Sequence, residues 1–357
     1  MSEDSGGHWK DLDEARKLTE STKIPGVFAT DIKRNNPAER LPVVQASGTG
    51  KSLKWLREKN FSEDAVLDLD IGDQLTWDDD VEYDEVETYL KRLGIQRKLD
   101  NFVKEVYSTY NNYRAQALLE TEKKVIRRIG DRIIYGDLTY GASGQWDGLH
   151  AYAAERSTPW AGSGTNSKLN MDMASAGLSL QYVRTMEDAL PLGVDEIWTP
   201  FEILRWLDAA YEEKGFAGLK YDTAGNLGFL QRTLNDLGKR VMSWNGIPFA
   251  RTDYLMGETT ATGTGASSDA RTKLATSSAE YSMFFVLKGN VMDEEPGVCF
   301  AYGATEGAGD LYKFTPFEKL EDYDGEGMRL VTYGAVLLGS YLALGRIADI
   351  ADAAVTV

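Results

Sequence analysis

The sequence predicts a mixed α+β fold in which helices and strands are segregated rather than strictly alternating. Three observations carry this. Residues 41–100 read as a long, turn-punctuated hairpin. One helical stripe of about thirty residues follows it. Beyond residue 150, strand and hairpin patterns dominate around a single well-signalled helix.

Residues 1–40 are polar, with a short helical pattern near 10–20, then Pro25, Pro37 and the run Lys33-Arg34-Asn35-Asn36. Such a segment is an arm, ordered by contact. Residues 41–46 read as a strand, Ser47-Gly48-Thr49-Gly50 as a turn and 53–59 as the returning strand. A second excursion carries Leu67, Leu69, Ile71, Leu75 and Trp77, and then alternates from 81 to 90. Ten to fifteen residues of ribbon reach about 35–50 Å. A lone two-stranded ribbon is marginal in water, so its expected support is another copy of the chain. Trp55, Trp77, Tyr83 and Tyr89 are the expected contacts.

From 103 to 135, Val106, Tyr110, Tyr113, Ala117, Thr121, Val125, Ile129 and Ile133 recur every three or four residues, one buried stripe. A single helix over that range would be roughly 45 Å long, a spine. Gly136 and the glycines of 141–148 stop it. Residues 194–198 read as a strand. Thr199-Pro200-Phe201-Glu202 then opens a helix over 200–213, with Thr199 and Glu202 as a capping box and Trp198 and Ile203 as a hydrophobic staple. Asn245-Gly246 joins 241–244 to 247–252 in a hairpin. Residues 257–280, rich in Gly, Ser, Thr and Ala, read as a surface loop. Strand patterns resume at 281–287 and 298–302, and the segment 312–320 follows. After the acidic turn 321–326 an apolar strand runs on from Met328.

The chain has 357 residues, 42% of them hydrophobic, enough for a substantial core, and a formal charge of -17 that disfavours gripping nucleic acid by phosphate neutralisation. Cys299 is the sole cysteine, which removes intramolecular disulfides and multi-cysteine metal sites. Two histidines, His8 and His150, are too few for the usual zinc site, and His150 reads as packed or exposed rather than catalytic. The N-terminus has no apolar core of a signal peptide. The uncharged stretch 330–345 is too short and glycine-rich to span a membrane and reads as buried strand.

Gln45-Ala46-Ser47-Gly48-Thr49-Gly50-Lys51-Ser52 differs from a phosphate-binding P-loop only at its first position. That position needs glycine, and the alternating β-α units of a nucleotide hydrolase do not follow. Asp68, Asp70, Asp73 and Asp78-Asp79-Asp80 read as a solvated acidic face, because Gly72 and the acids miss the calcium-loop register. No catalytic, metal or cofactor site is expected. Lys123, Lys124, Arg127, Arg128 and Arg132 form a basic patch on the spine helix, with Glu120 placed to pair with Lys124. The patch is a solvated helix face or a docking site for an acidic partner or packaged nucleic acid.

The order of elements resembles a tailed-bacteriophage major capsid protein, the fold shared with encapsulins and the herpesvirus capsid floor. The resemblance covers about 41–350. It rests on the ribbon, the long helix ending in Gly136-Asp137, the turn Trp146-Asp147-Gly148-Leu149, the strand turn Trp244-Asn245-Gly246-Ile247-Pro248 and Phe317-Glu318-Lys319-Leu320-Glu321 before the last strands. It implies an N-terminal arm at 1–40, an extended loop at 41–100, a peripheral domain with the spine helix at 101–150 completed by 316–357, and an axial domain at 151–315. It further implies a non-enzymatic subunit that assembles with itself, as hexamers and pentamers, into an icosahedral shell around double-stranded DNA. That shell would form the virion capsid, built in the host cytoplasm, with a portal, a separate scaffolding protein and decoration proteins as partners, no membrane and no sequence-specific DNA contact. An encapsulin-like nanocompartment is the alternative, and a P-loop nucleotide-binding protein a third. No long coiled coil precedes the arm, and no motif identifies the residues of the lysine-to-asparagine crosslink that some members form.

Overall fold

The structure, a computed structural model, describes residues 32–46, 52–60, 68, 70, 82–107, 113–138, 144–154, 169–213, 230–234, 240–260, 271–273, 280–303, 311–321 and 324–356. Most of the expected arm, the turn 47–50, Trp77 and most of the acidic run 62–80 therefore lie outside the described residues.

Among the described residues the strands form two large sheets, with helices packed on them, and two two-stranded ribbons. The first sheet has five strands: β1 (Val43–Ala46), β4 (Lys91–Asp100), β13 (Val298–Gly303), β14 (Lys313–Lys319) and β15 (Gly325–Leu338). β15 organises it, pairing antiparallel with β4 from Gly325↔Asp100 to Gly334↔Lys91 and with β13 from Gly334↔Tyr302 to Leu338↔Val298. Of the stretch 330–345 expected as one buried strand, 330–338 forms the far half of β15, where Ala335, Val336, Leu337 and Leu338 are fully enclosed, but the chain then leaves the strand through a 3-10 turn at Tyr341–Ala343, and Leu344 opens a strand of the second sheet. Among the described residues no helix is long and apolar enough to cross a membrane.

The strand at 43–46 corrects the expected hairpin. Instead of turning back onto 53–59, β1 lies parallel to β13, Val43 opposite Phe300. Leu41 and Ala46 are buried in the main core, so this short segment gains more by completing a covered sheet than by pairing in solvent. The ribbon is built instead from β2 (Ser52–Asn60) and β3 (Glu82–Tyr89), antiparallel to each other.

The expected single helix of 103–135 is described as α2 (Asn101–Tyr107) and α3 (Tyr113–Tyr135), after the short α1 (Pro37–Arg40); residues 108–112 lie outside the described residues. Over α3 the stripe holds: Tyr113, Ala117, Thr121, Val125, Ile129 and Ile133 are all buried, four residues apart. Its 23 residues span about 35 Å. Gly136 closes it, donating to the Arg132 carbonyl at 2.9 Å and accepting from Gly148 N–H at 2.8 Å. The Trp146-Asp147-Gly148-Leu149 turn is thereby clamped to the helix end. Asp147 accepts from Leu138 N–H at 2.7 Å, and the buried Trp146 meets the Phe300 ring edge-on at 5.8 Å. α4 (Leu149–Ala154) follows directly.

The second sheet has seven strands in the order β5-β16-β12-β6-β9-β8-β7. They are β5 (Asn170–Ala176), β6 (Glu196–Thr199), β7 (Leu230–Leu234), β8 (Arg240–Trp244), β9 (Ile247–Arg251), β12 (Tyr281–Val286) and β16 (Leu344–Ile350). Alternation along β12 divides two cores. Phe284 and Val286 join the cluster shared with α3 and β15, whereas Met283 and Phe285 face the cluster beneath α5 (Leu180–Asp188) and α6 (Phe201–Glu213). β13 and β14 lie in the first sheet, and β16 returns to the second.

α6 begins where the sequence signals it, but not through the expected cap. Thr199 ends β6, and its hydroxyl is buried without a hydrogen-bond partner. Trp198 and Ile203 point into different cores and form no staple. The Asn245-Gly246 turn holds as read, with φ of 46° and 87°, the left-handed pair that a two-residue hairpin requires. Within 257–280, expected as a loop, β10 (Glu258–Thr260) and β11 (Arg271–Lys273) pair antiparallel, while 261–270 and 274–279 lie outside the described residues.

Candidate inter-subunit interface

The ribbon β2–β3 has two unlike faces because side chains alternate along each strand. Leu53, Trp55 and Arg57 oppose Thr88, Val86 and Asp84 on the inner face, where Leu53 and Trp55 pack against the main core. Arg57, 6% exposed, clamps the ribbon to the end of β15. Its guanidinium donates to the Leu338 and Gly339 carbonyls, the latter at 2.8 Å, and stacks over the Tyr341 ring at 4.3 Å. Thr88 is buried beside the Tyr152 hydroxyl, which donates to the Val336 carbonyl at 2.8 Å. The expectation of a ribbon unsupported within its own chain is therefore corrected at its root.

The outer face is open. Leu56 is 68% and Tyr83 65% exposed. Lys54 pairs with Glu85 at 2.6 Å in full solvent. Of the four expected contacts, Tyr83 stands free on this face, Tyr89 is half-buried near the ribbon root, and Trp55 is half-buried on the inner face. Leu56 escaped the sequence reading; its phase, opposite to that of Leu53, Trp55 and Arg57, was the available signal.

The basic patch on α3 is divided. Lys123, Lys124 and Arg128 are exposed, whereas Arg127 and Arg132 are half-buried. Arg132 donates to the Gln145 side chain, and burial, with Arg128 nearby, pulls its pKa down to about 10. Arg128 pairs with Asp131 at 3.4 Å. Glu120 does not pair with Lys124 as expected, since Arg97 of β4 holds it at 2.9 Å. Lys123, Lys124 and Arg127 form one wall of a groove of about 550 Å³, with Lys33, Asn36 and Tyr254 across it.

A buried ionic cluster ties α3 and α4 to β10 and to strands of the second sheet. Glu258 of β10 is wholly enclosed. His150 Nε2 stands 3.0 Å from its Oε2, Tyr135 donates to the same oxygen at 3.1 Å, and Ser282 donates to Oε1. Arg346 Nη1 lies 3.1 Å from His150 Nδ1, and its Nε donates to Asn170 at 2.8 Å. Burial would raise the Glu258 carboxyl, but His150, Ser282 and Arg346 outweigh it and hold it below the usual range. His150, expected as packed or exposed, is packed, within a cluster whose partners come from α3, α4, β5, β10, β12 and β16. Among the described residues no group of His, Cys, Asp and Glu is arranged to hold a metal ion. Cys299 is buried, and enclosure pushes its thiol up to about 11.

No protein-family model matches the chain, and no curated protein matches its sequence. Solved structures match it over nearly its full length. The holo-SrpI encapsulin complex from Synechococcus elongatus PCC 7942 aligns with a TM-score of 0.56 at 11% identity, covering 97% of each chain. The capsid of Cyanophage P-SCSP1u aligns at 0.55 with 13% identity over 91% of each chain, and the capsid of Myoviridae Phage XM1 at 0.53 with 9% identity, covering 93% of this chain and 98% of that one. The fold is therefore that of the tailed-phage capsid and encapsulin shell proteins.

Proposed function

We propose that this chain is the shell subunit of an icosahedral particle, and that the particle is the capsid of a tailed virus enclosing double-stranded DNA. The observation that carries the reading is a fold shared with capsid proteins across more than nine-tenths of both chains. The open outer face of the ribbon is consistent with it, since apolar side chains held out on a clamped arm suit burial against another copy. Many modest contacts made together by closure give a durable shell without any single strong one. The role is structural, with self as the principal partner. Portal, scaffolding and decoration proteins, assembly in the host cytoplasm and incorporation in the virion follow as parts of the same proposal.

A second reading is favoured by one observation, the encapsulin match covering 97% of each chain. It makes the particle a compartment for protein cargo. Expression of the chain followed by size-exclusion chromatography and electron microscopy tests the common element: closed shells are expected, and a persistently monomeric protein overturns both readings. Particles purified from the native source then separate the two, nuclease-protected DNA supporting the capsid and enclosed protein the compartment.

A further inference from the structure

His150 stands where a second proton has no place. Its side chain is buried on α4, with Glu258 Oε2 3.0 Å from Nε2 and Arg346 Nη1 3.1 Å from Nδ1. A guanidinium only donates, so Nδ1 offers its lone pair and the ring carries its proton on Nε2. The ring is also gripped from two sides. Tyr135 stacks on it at 5.0 Å, and Phe284 meets it edge-on at 4.8 Å. A proton added at Nδ1 would turn one N–H toward another at hydrogen-bond distance, and would set two enclosed cations side by side.

Charged and titratable groups face this ring from several elements. Glu258 comes from β10, Tyr135 from the end of α3 and Arg346 from β16. Each is held in turn: Ser282 of β12 donates to Glu258, and Arg346 Nε donates to Asn170 of β5 at 2.8 Å. Glu280, joined to Glu258 through backbone hydrogen bonds, gives its carboxylate to Ser175 instead. With His150 neutral, Arg346 and Glu258 balance as cation and anion. With His150 charged, the enclosed cations outnumber the carboxylate, and burial makes that imbalance costly.

We propose that His150 is an acid-sensitive latch whose protonation displaces Arg346 and loosens α4 from β16 and β5. The latched form needs the neutral imidazole, so its contribution is present above the ordinary histidine value of about 6.5 and is lost as pH falls below it. Glu258 does not share this window, because its carboxyl is held below the usual range and stays charged throughout. α3 packs on β4 and β15, so the latch acts where that layer meets the second sheet.

Amide hydrogen exchange of the whole chain, each rate divided by the intrinsic rate at the same pH, tests the latch. An opening that takes up one proton on an ordinary imidazole becomes roughly thirtyfold more frequent between about pH 7.5 and about pH 5. That rise is expected in α4 and β16 and not in the β4–β15 pairing. H150N keeps an acceptor at the place of Nδ1 but takes no proton, so its exchange should be flat over the same range. A flat wild type, or a rise that persists in H150N, overturns the latch. Should H150N not fold, NMR of the unaltered chain decides, since His8 and His150 are its two imidazoles. The His150 signal should leave the neutral Nε2–H form together with a change in the α4 and β16 amides, and protonation that leaves those amides undisturbed overturns the proposal. The cluster lies within one subunit, so either outcome leaves the shell reading in place.

Discussion

Glu258 and His150 meet at 3.0 Å with the carboxylate wholly enclosed, and the arrangement fixes the state of both. Arginine only donates, so Arg346 requires His150 Nδ1 to accept, which leaves the imidazole proton on Nε2, facing Glu258. The cluster ties α3 and α4 to strands of the second sheet, where a charge left alone would be costly.

The first prediction follows from the Glu258 carboxyl. Its folded pKa lies below the ordinary value near 4.3, so its contribution to stability is fully present above that pH and is lost as pH falls through the folded value. E258Q should cost about 3 kcal/mol at pH 7, the scale for breaking a buried pair. Denaturant unfolding at several pH values checks this. The difference between wild type and variant should narrow below roughly pH 4, and a difference independent of pH would contradict the assignment.

Arg57 supplies the second. R57A removes a charged donor from two carbonyls at the end of β15 and a stacking partner from Tyr341. A loss of about 2–3 kcal/mol is expected, each charged hydrogen bond contributing on the order of 1.5 kcal/mol or more. Hydrogen exchange should rise first in β2 and β3, because their root is what the guanidinium holds. Uniform exchange across the first sheet would assign Arg57 to the core instead.

The third concerns backbone approach. A Cβ at Gly136 would fall on the Trp146 carbonyl and lie 2.5 Å from that of Arg132, both backbone groups that cannot rotate away, whereas one at Gly144 meets nothing within 4 Å. G136A should therefore cost about 1–3 kcal/mol, and G144A should stay within about 0.5 kcal/mol of wild type. Thermal unfolding of the two variants side by side measures the contrast.

These sites also mark how far the chain could be read without its structure. The α3 stripe, the Asn245-Gly246 hairpin and the start of α6 were legible because each is written within a few neighbouring residues. The partner of β1 was not, since parallel pairing with β13 near the far end of the chain leaves no local trace. Alternation alone also left open that 53–59 would choose 82–89 over 41–46. Glu258 was hidden inside a Gly-, Ser- and Thr-rich stretch whose composition speaks for solvent, and its burial depends on His150 and Arg346, remote in sequence. The open side of the ribbon was only partly visible, because Tyr83 was singled out while Leu56 was passed over beside Trp55.

The last prediction bears on that open side. Leu56 and Tyr83 lie on the face of the ribbon turned away from the core, and neither belongs to a hydrophobic cluster of the subunit. Substitutions at such positions normally change stability by no more than about 0.5 kcal/mol. L56D/Y83D should therefore leave the unfolding midpoint of the subunit where it was. In a shell, the same side chains would be covered, and burying two unpaired carboxylates against a neighbour is strongly unfavourable. Assembly should accordingly fail, or proceed only at acid pH where the carboxyls are neutral, as light scattering and electron microscopy would report. Normal shells from this variant would mean that the outer face stays in solvent, and that subunits are joined through α3 or the sheet edges instead.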